Sequence, residues 1–177
     1  MKILEGENII LRAPELTDLD VLYKWENDPD AWIYGSTLSP FSKYILSKYL
    51  ETAQQDIYEA KQLRLMVDLK FPTNKTIGIV DLFDFDPFHN RAGVGILIAE
   101  PEDRRNGFAY DTLLTLKSYC FKLLLLNQLY CNIGIDNTES LKLFQKCGFE
   151  INGQKKSWLR RETGFIDEYF LQLINAD

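Results

Sequence analysis

Apolar residues recur along the chain in short runs whose length and composition are typical of β-strands. Seven strands are predicted, at residues 8–12, 63–69, 76–85, 92–98, 129–135, 149–159 and 165–173. Turn residues at 162–164 join the last two into a closing hairpin, and residues 71–75 are a turn by composition. Strands therefore dominate the middle and the end of the chain.

Four further segments have the sequence pattern of α-helices. The first two begin at Thr17 and at Ser39, and the other two span residues 107–126 and 137–147. Thr17 and Asp20 have the spacing of a capping box, and Ser39 followed by Pro40 offers a cap and a first helical residue. Gly148 directly follows the last helix, where a left-handed C-cap favours glycine.

The order of the elements is strand, two helices, three strands, helix, strand, helix and two strands. The runs of consecutive strands predict an α/β fold with a mixed, mostly antiparallel central sheet flanked by helices. They argue against a doubly wound parallel sheet. With 177 residues, 46% of them hydrophobic and 26% charged, the chain has the size and composition of one domain, residues 1–177.

Composition and charge exclude several classes of protein. The longest apolar stretch is too short to cross a bilayer, so we expect a cytoplasmic protein without membrane contact. The net charge of −6 opposes binding to nucleic acid. His89 is the only histidine and falls in a turn-like stretch, while Cys120, Cys131 and Cys147 are widely spaced. We therefore expect buried, reduced thiols and no metal site.

The most informative segment is a polar loop between a predicted strand and a predicted helix. It comprises Arg104, Arg105, Asn106, Gly107, Phe108 and Ala109. N–H groups at a helix start lack internal partners and lie at the positive end of the helix dipole, so such a terminus binds phosphate. Gly107 permits close backbone approach, and the two arginines add charge. The alternative is a plain turn with solvated arginines.

Three motifs carry a resemblance to a known family. The loop at 104–109 matches the pattern Gln/Arg-x-x-Gly-x-Gly/Ala, and residues 137–149 are similar to Asn-x-x-Ser followed by Tyr/Phe-x-Lys-x-Gly-Phe. Both belong to the GNAT acetyltransferases. Residues 8–12 and 25–29 resemble the branch that holds ribosomal-protein N-terminal and spermidine acetyltransferases. The resemblance covers nearly the whole chain.

This resemblance implies that two central strands splay apart and bind acetyl-CoA as co-substrate. The pantetheine arm would pair with the backbone of Ile96 and Ile98, as an added strand would, and the pyrophosphate would bind the amides of residues 105–109. The family places its oxyanion donor on the same strand, at the N–H of Ile96 or Leu97. Asn137 would hydrogen-bond the pantetheine arm, a role compatible with capping its helix.

Two positions depart from the catalytic pattern of that family. Phe144 stands where a tyrosine often acts as general acid, and Gly93 stands where a glutamate is frequent. A phenyl ring cannot donate a proton, so Phe144 is expected to form an apolar wall of the acetyl-CoA site. Water, Ser140 or Tyr130 could supply the proton instead.

Asp81 and Glu26 are the candidates for the general base. Asp81 is expected to share an apolar strand face with Ile77, Ile79 and Phe83, an environment that suits a base. The alternative for Asp81 is a place at a sheet edge or a structural pair with an arginine. Glu26 belongs to the first helix, where substrate-facing walls lie in the family.

The sequence therefore predicts transfer of an acetyl group from acetyl-CoA to a primary amine by direct attack in a ternary complex. The acceptor is a small, polyamine-like molecule or a protein N-terminus, although residues 33–43 are nearly devoid of the carboxylates that a polycation would need. A homo-oligomer is left open. The alternative function is an acyl-CoA-binding sensor or a catalytically weak relative without a dedicated general acid.

Overall fold

The computed structural model describes residues 3–33, 37–52, 56–71 and 75–176. Its strands are β1 (Ile9–Arg12), β2 (Leu63–Leu69), β3 (Thr76–Asp86), β4 (Arg91–Ile98), β5 (Gln128–Gly134), β6 (Glu150–Arg161) and β7 (Gly164–Ile174). They form one sheet in the order β1-β2-β3-β4-β5-β7-β6. Each predicted strand is thus confirmed to within two residues at either end.

The helices flank this sheet. They are α1 (Leu19–Glu26), α2 (Pro29–Trp32), α3 (Lys43–Thr52), α4 (Ile57–Ala60), α5 (Phe108–Lys122) and α6 (Thr138–Lys146), with 3-10 turns at Leu16–Asp18 and Pro101–Asp103. No helix in the described ranges is long and apolar enough to span a bilayer. The predicted turn at 71–75 lies mostly outside the described residues.

The centre of the sheet is open on one side of β4. Neighbouring strands run antiparallel except β4 and β5, which are parallel. Their pairing covers only residues 91–93 against 128–130, although β4 continues to Ile98 and β5 to Gly134. The two strands therefore separate after Gly93, which confirms the predicted mostly antiparallel sheet with a splayed central pair.

Two apolar cores pack on opposite faces of the sheet. The larger core packs the sheet against α5 and α6 and contains Leu113 among its buried residues. The smaller core packs α1 and α3 against β2 and β3, through Leu22 and Leu50. Consecutive residues of β2 point to the two cores in turn, with Met66 in the smaller and Val67 in the larger.

The prediction that Ile77, Ile79, Asp81 and Phe83 share one face of β3 is wrong at Ile77. A β-bulge in the β2–β3 pairing inserts Ile77 as an extra residue. As a result Ile77 belongs to the larger core, while Ile79 belongs to the smaller one. Asp81 therefore shares its face with Ile79 but not with Ile77.

The predicted start of the first helix is also wrong. The capping box is formed by Glu15 and Asp18 rather than by Thr17 and Asp20. Both pairs have the same spacing, and the acidic pair is the one that closes in the fold because Asp18 is also held by Arg12 at 2.7 Å. The box opens a 3-10 turn, and α1 follows that turn.

The next long helix begins later than predicted, and the short helices α2 and α4 were not predicted. Ser42 Oγ accepts a hydrogen bond from Ile45 N at 3.2 Å, so Ser42 provides the serine cap expected of Ser39. The side chain of Asn27 holds Phe41 by two hydrogen bonds, of 2.8 and 3.0 Å, to its backbone N–H and C=O. These two hydrogen bonds hold Phe41 ahead of the helix, which begins at Lys43.

We expect the three cysteines to be unreactive in the native protein. All three are buried with free thiols, and burial raises the pKa of Cys147 to about 11 and that of Cys120 to about 12. Because the thiolate is the nucleophile, Ellman's reagent at neutral pH should modify them only after unfolding in guanidinium. Rapid modification of a native thiol would contradict the described packing.

Candidate active site

The splayed part of β4 presents unpaired backbone groups to the gap in the sheet. Ala99 N donates to Ile77 O at 3.0 Å, so Ala99 forms a hydrogen-bonded pair with β3. Backbone direction alternates along an antiparallel strand, so the N–H of Leu97 also points to β3. The N–H groups of Ile96 and Ile98 point the other way, into the gap.

Arg104 organises the loop after β4 and also lines the narrow cleft. Its Nε donates to the carbonyl oxygen of Ile98 at 3.0 Å, and its second guanidinium nitrogen donates to that of Ala99 at 2.7 Å. These bonds fix the path of the chain into the loop. Because both acceptors are neutral carbonyls, the positive charge predicted for the loop is kept at this position.

Arg105 and Asn106 complete the loop from its exposed side. The Arg105 guanidinium donates to Glu139 at 2.7 Å, which ties the loop to the start of α6. Asn106 Nδ2 donates to the carbonyl oxygen of Glu102 at 2.9 Å. Arg105 has φ of 63°, in the left-handed region, so its N–H turns in a direction that an extended residue could not give it.

The start of α5 has the geometry of an anion-binding terminus. Gly107 has φ of 84° and directly precedes the helix. The first helical hydrogen bond runs from Asp111 N to Gly107 O at 3.0 Å, so the N–H groups of Phe108, Ala109 and Tyr110 have no acceptor within the helix. A Cβ atom built on Gly107 would meet nothing within 4 Å, which leaves the space before these groups open. A pyrophosphate fits this cradle.

Two clefts meet at the splay. The narrow cleft, of about 650 Å³, runs along the loop and the starts of α5 and α6. The wide cleft, of about 1620 Å³, runs between the splayed strands, the β6–β7 hairpin and the region after α2. Ile96, Asn137 and Ser140 line both clefts. A ligand in the narrow cleft and one in the wide cleft would meet beside these residues.

Asn137 and Phe144 lie on the α6 wall of this meeting point. Asn137 Oδ1 accepts from Ser140 N at 3.2 Å, so this oxygen caps α6, and the residue lines both clefts. Phe144 is 3% exposed, packs edge-on against Phe149 at a centroid distance of 5.0 Å and lines the wide cleft. The α6 wall therefore offers one amide, one hydroxyl and one phenyl ring.

The two predicted bases, Asp81 and Glu26, lie close together because both accept hydrogen bonds from the same arginine. Arg64 donates two hydrogen bonds to Asp81, at 2.8 and 2.9 Å, and a third to Glu26. Burial alone would lower the pKa of Arg64, but the two carboxylates raise it overall. Its guanidinium also stacks 5.7 Å from the ring centroid of Tyr49. The two carboxylates stabilise a half-buried cation, and neither lines the described clefts.

The candidate proton donors are water, Ser140 and Tyr130, and Tyr130 already donates its hydroxyl proton to another residue. Its hydroxyl donates to Asp84 Oδ2 at 3.2 Å in the paired part of β4 and β5. Burial, together with the charge of Asp84, raises the pKa of Tyr130 to about 12. Ser140, by contrast, lines both clefts. His89 is exposed at the β3–β4 turn, as the sequence indicated.

Glu168, a buried carboxylate in the wide cleft, is not among the residues predicted from the sequence. Glu168 lies on β7 and is only 8% exposed. Its Oε2 accepts from Lys155 Nζ at 2.8 Å, and the same nitrogen donates to Asn132 Oδ1 at 2.7 Å. No described residue forms a hydrogen bond with its Oε1. A glutamate inside an otherwise mostly apolar strand was the available sequence signal.

Comparisons with known proteins agree with this geometry. Residues 8–150 match the family described as the acetyltransferase (GNAT) domain. An uncharacterised N-acetyltransferase, p20, of Bacillus licheniformis is 26% identical over 178 residues, covering 100% of this chain and 98% of that protein. Spermidine N(1)-acetyltransferase of Vibrio cholerae is 26% identical over 166 residues, covering 94% and 87%.

A solved structure shows the same fold. The crystal structure of spermidine N-acetyltransferase from Vibrio cholerae in complex with CoA and spermine superposes with a TM-score of 0.84, at 24% identity and 96% coverage of each chain. The chain belongs to the GNAT family of acetyltransferases, since the family match spans most of its length. The predicted activity, acetyl transfer from acetyl-CoA to an amine, is confirmed by that membership.

Proposed function

We propose that the protein acetylates a primary amine by direct attack in a ternary complex, with acetyl-CoA in the narrow cleft and the amine in the wide cleft. The observation that carries the proposal is the meeting of the two clefts at Ile96, Asn137 and Ser140. Both substrates can then be bound at once, so no covalent acyl-enzyme is required.

Acetyl-CoA supplies the acyl group and a thiolate leaving group. The N–H groups at the start of α5 would bind its pyrophosphate, and the N–H group of Ile98 its pantetheine arm. The carbonyl oxygen of Ile98 already accepts from Arg104, so Ile98 offers only its donor. The amide nitrogen of Asn137 is a further donor on the opposite wall.

The backbone of β4 favours Ile96 over Leu97 as oxyanion donor. The N–H of Leu97 points into the β3 ladder, whereas that of Ile96 points into the gap. A fixed donor aimed at developing negative charge typically contributes about 10²- to 10³-fold to turnover. The neighbouring Gly95 presents no side chain beside this position.

The amine would be held by Glu168. Its free oxygen can accept a hydrogen bond from the attacking nitrogen and take up the proton released there, while Lys155 fixes its other oxygen. On the leaving-group side, Ser140 is the hydroxyl at the junction of the clefts, and Phe144 closes the wall without a proton to give. The roles given to these residues belong to the proposal. So do the cytoplasmic location of the protein and its organisation as a single domain.

The proposal is tested by binding and turnover together. Acetyl-CoA should raise the melting temperature, and mixing it with a panel of primary amines and N-terminal peptides should release CoA thiol. Stabilisation by acetyl-CoA without thiol release from any amine would favour the acyl-CoA sensor instead. The described cysteines do not interfere, since they are buried.

We expect Asp81→Asn to lower stability and to leave turnover almost unchanged. The change removes a charged partner of Arg64 and should cost about 1–3 kcal/mol. This loss of stability is smaller than the loss expected from breaking a fully buried ion pair, because the side chains of Arg64 and Asp81 are 21% and 28% exposed. Thermal unfolding and initial rates measure both effects. A large loss of turnover at intact stability would restore Asp81 as the base.

We expect Phe144→Tyr to give a modest gain in turnover. The added phenol would stand at the cleft wall, where it can protonate a thiolate whose parent pKa is about 8.5. The gain should grow as the pH falls below that value, and initial rates against pH for both forms measure it. A large loss of acetyl-CoA affinity would show that the ring does not face the cleft as described.

A further inference from the structure

We infer that the acceptor is a monoamine on an apolar body, and that the wide cleft selects against amines that carry a second positive charge. The inference rests on the proposed function, because it names the substrate class of the same site. Three features of the cleft support it: Asp136 and Glu168 are already paired with cations, the rim has no excess of negative charge, and the walls are apolar.

Two of the three carboxylates that line the wide cleft, Asp136 and Glu168, already have cationic partners. Asp136 accepts from Arg161 Nε at 2.7 Å, and Glu168 accepts from Lys155 at 2.8 Å. Each pair is locally neutral. Glu168 can accept one hydrogen bond from an amine through its free oxygen, but the two pairs leave no uncompensated negative charge for a second ammonium group.

The rim of the cleft is balanced in charge. Arg160, Arg161 and Glu162 come in succession at the tip of the β6–β7 hairpin, and all three line the cleft. Because Arg161 is already paired with Asp136, Arg160 and Glu162 are left as one positive and one negative charge, so the rim has no excess of negative charge. The cleft-lining part of the chain after α2 contributes no carboxylate, and residues 34–36, which lie outside the described residues, are Tyr, Gly and Ser.

Apolar side chains supply most of the remaining wall. Trp32, Ile33 and Leu38 come from the end of α2 and the segment that follows, and Leu159 and Phe165 come from the hairpin. Leu38 and Phe165 are 94% and 65% exposed, which is unusual for large apolar residues at the mouth of a cleft. An apolar group of the substrate would cover these two side chains, and their removal from water would favour binding.

A second ammonium group would meet the opposite conditions. It would lose water of hydration against apolar side chains and gain no carboxylate partner in return. The cleft should therefore discriminate between amines of equal length that differ only in a terminal charge.

The test compares hexylamine with 1,6-diaminohexane, which have the same carbon chain. We expect kcat/KM to be at least about tenfold higher for hexylamine than for 1,6-diaminohexane. The diamine would lose an apolar contact with the cleft and would bury an unpaired charge. An equal or higher value for the diamine overturns the inference while leaving the proposed function intact. Acetylation of neither amine, with CoA binding retained, also overturns the inference, whereas the proposed function fails only if no primary amine of the panel releases CoA thiol.

A matched pair of variants locates the selectivity. Phe165→Glu places a carboxylate on the exposed wall of the cleft and should narrow the preference for hexylamine by at least about threefold, a typical size for an exposed charge pair. Phe88→Glu makes the same change at the β3–β4 turn, where Phe88 is 86% exposed and lines neither described cleft. It should leave the preference unchanged. An unchanged preference in Phe165→Glu would overturn the assignment of the hairpin wall.

Discussion

Gly107→Val should abolish the stabilisation of the protein by CoA. The residue has φ of 84°, and a side chain there would project into the open space in front of the first N–H groups of α5. Valine would occupy the proposed position of the pyrophosphate and would also strain the backbone. The measurement is the melting temperature with and without saturating CoA, and an unchanged shift would refute the cradle at α5.

A matched alanine pair separates backbone strain from loss of the site. Gly107 and Gly148 both have positive φ, of 84° and 96°. Gly107→Ala and Gly148→Ala should therefore each lower the stability of the free protein by about 1–2 kcal/mol. Only Gly107→Ala should also weaken the binding of CoA, because Gly148 ends α6 away from the phosphate cradle. Equal weakening by both would point to a general effect of strain.

Glu168→Gln should lower kcat/KM for the amine by about 100-fold or more, the typical contribution of a proton-accepting group. Glutamine keeps the shape of the side chain and an oxygen for Lys155, so the fold should persist. The shift in melting temperature on adding CoA should be unchanged, since Glu168 lies in the wide cleft. Initial rates over a range of amine concentrations measure the effect.

Glu150→Gln provides the control for this variant. Glu150 lies at the start of β6 in the same hairpin, is exposed and does not line the described clefts. Its amide variant should behave like the original protein in both rate and CoA binding. If Glu168→Gln also kept its full rate, Glu168 would be a structural partner of Lys155 and the amine would be held elsewhere.

The strands and the loop that places Gly107 at the start of α5 were predictable because local sequence determines them. Runs of apolar residues set the strands, and Gly107 ahead of a helix start is a local feature of four or five residues. The gap beside β4 was predictable only through the family resemblance. Nothing in the sequence of β4 or β5 alone shows that their pairing stops after Gly93.

The pairing of charges could not be predicted, because it depends on sheet register. Arg64 and Asp81 are far apart in sequence and face each other only because β2 and β3 pair in one particular register. The same holds for Lys155 and Glu168 across β6 and β7. A one-residue shift in register would have moved each side chain to the other face, so the sequence offered an arginine pair as the alternative for Asp81 without identifying Arg64 as the partner.

The central claim is direct acetyl transfer in a ternary complex, and two-substrate initial-rate kinetics test it most directly. With hexylamine and acetyl-CoA both varied, the account predicts double-reciprocal lines that intersect, with CoA and the acetylated amine formed in equal amounts. Parallel lines, together with an acetyl group retained on the protein when acetyl-CoA is supplied alone, would contradict it.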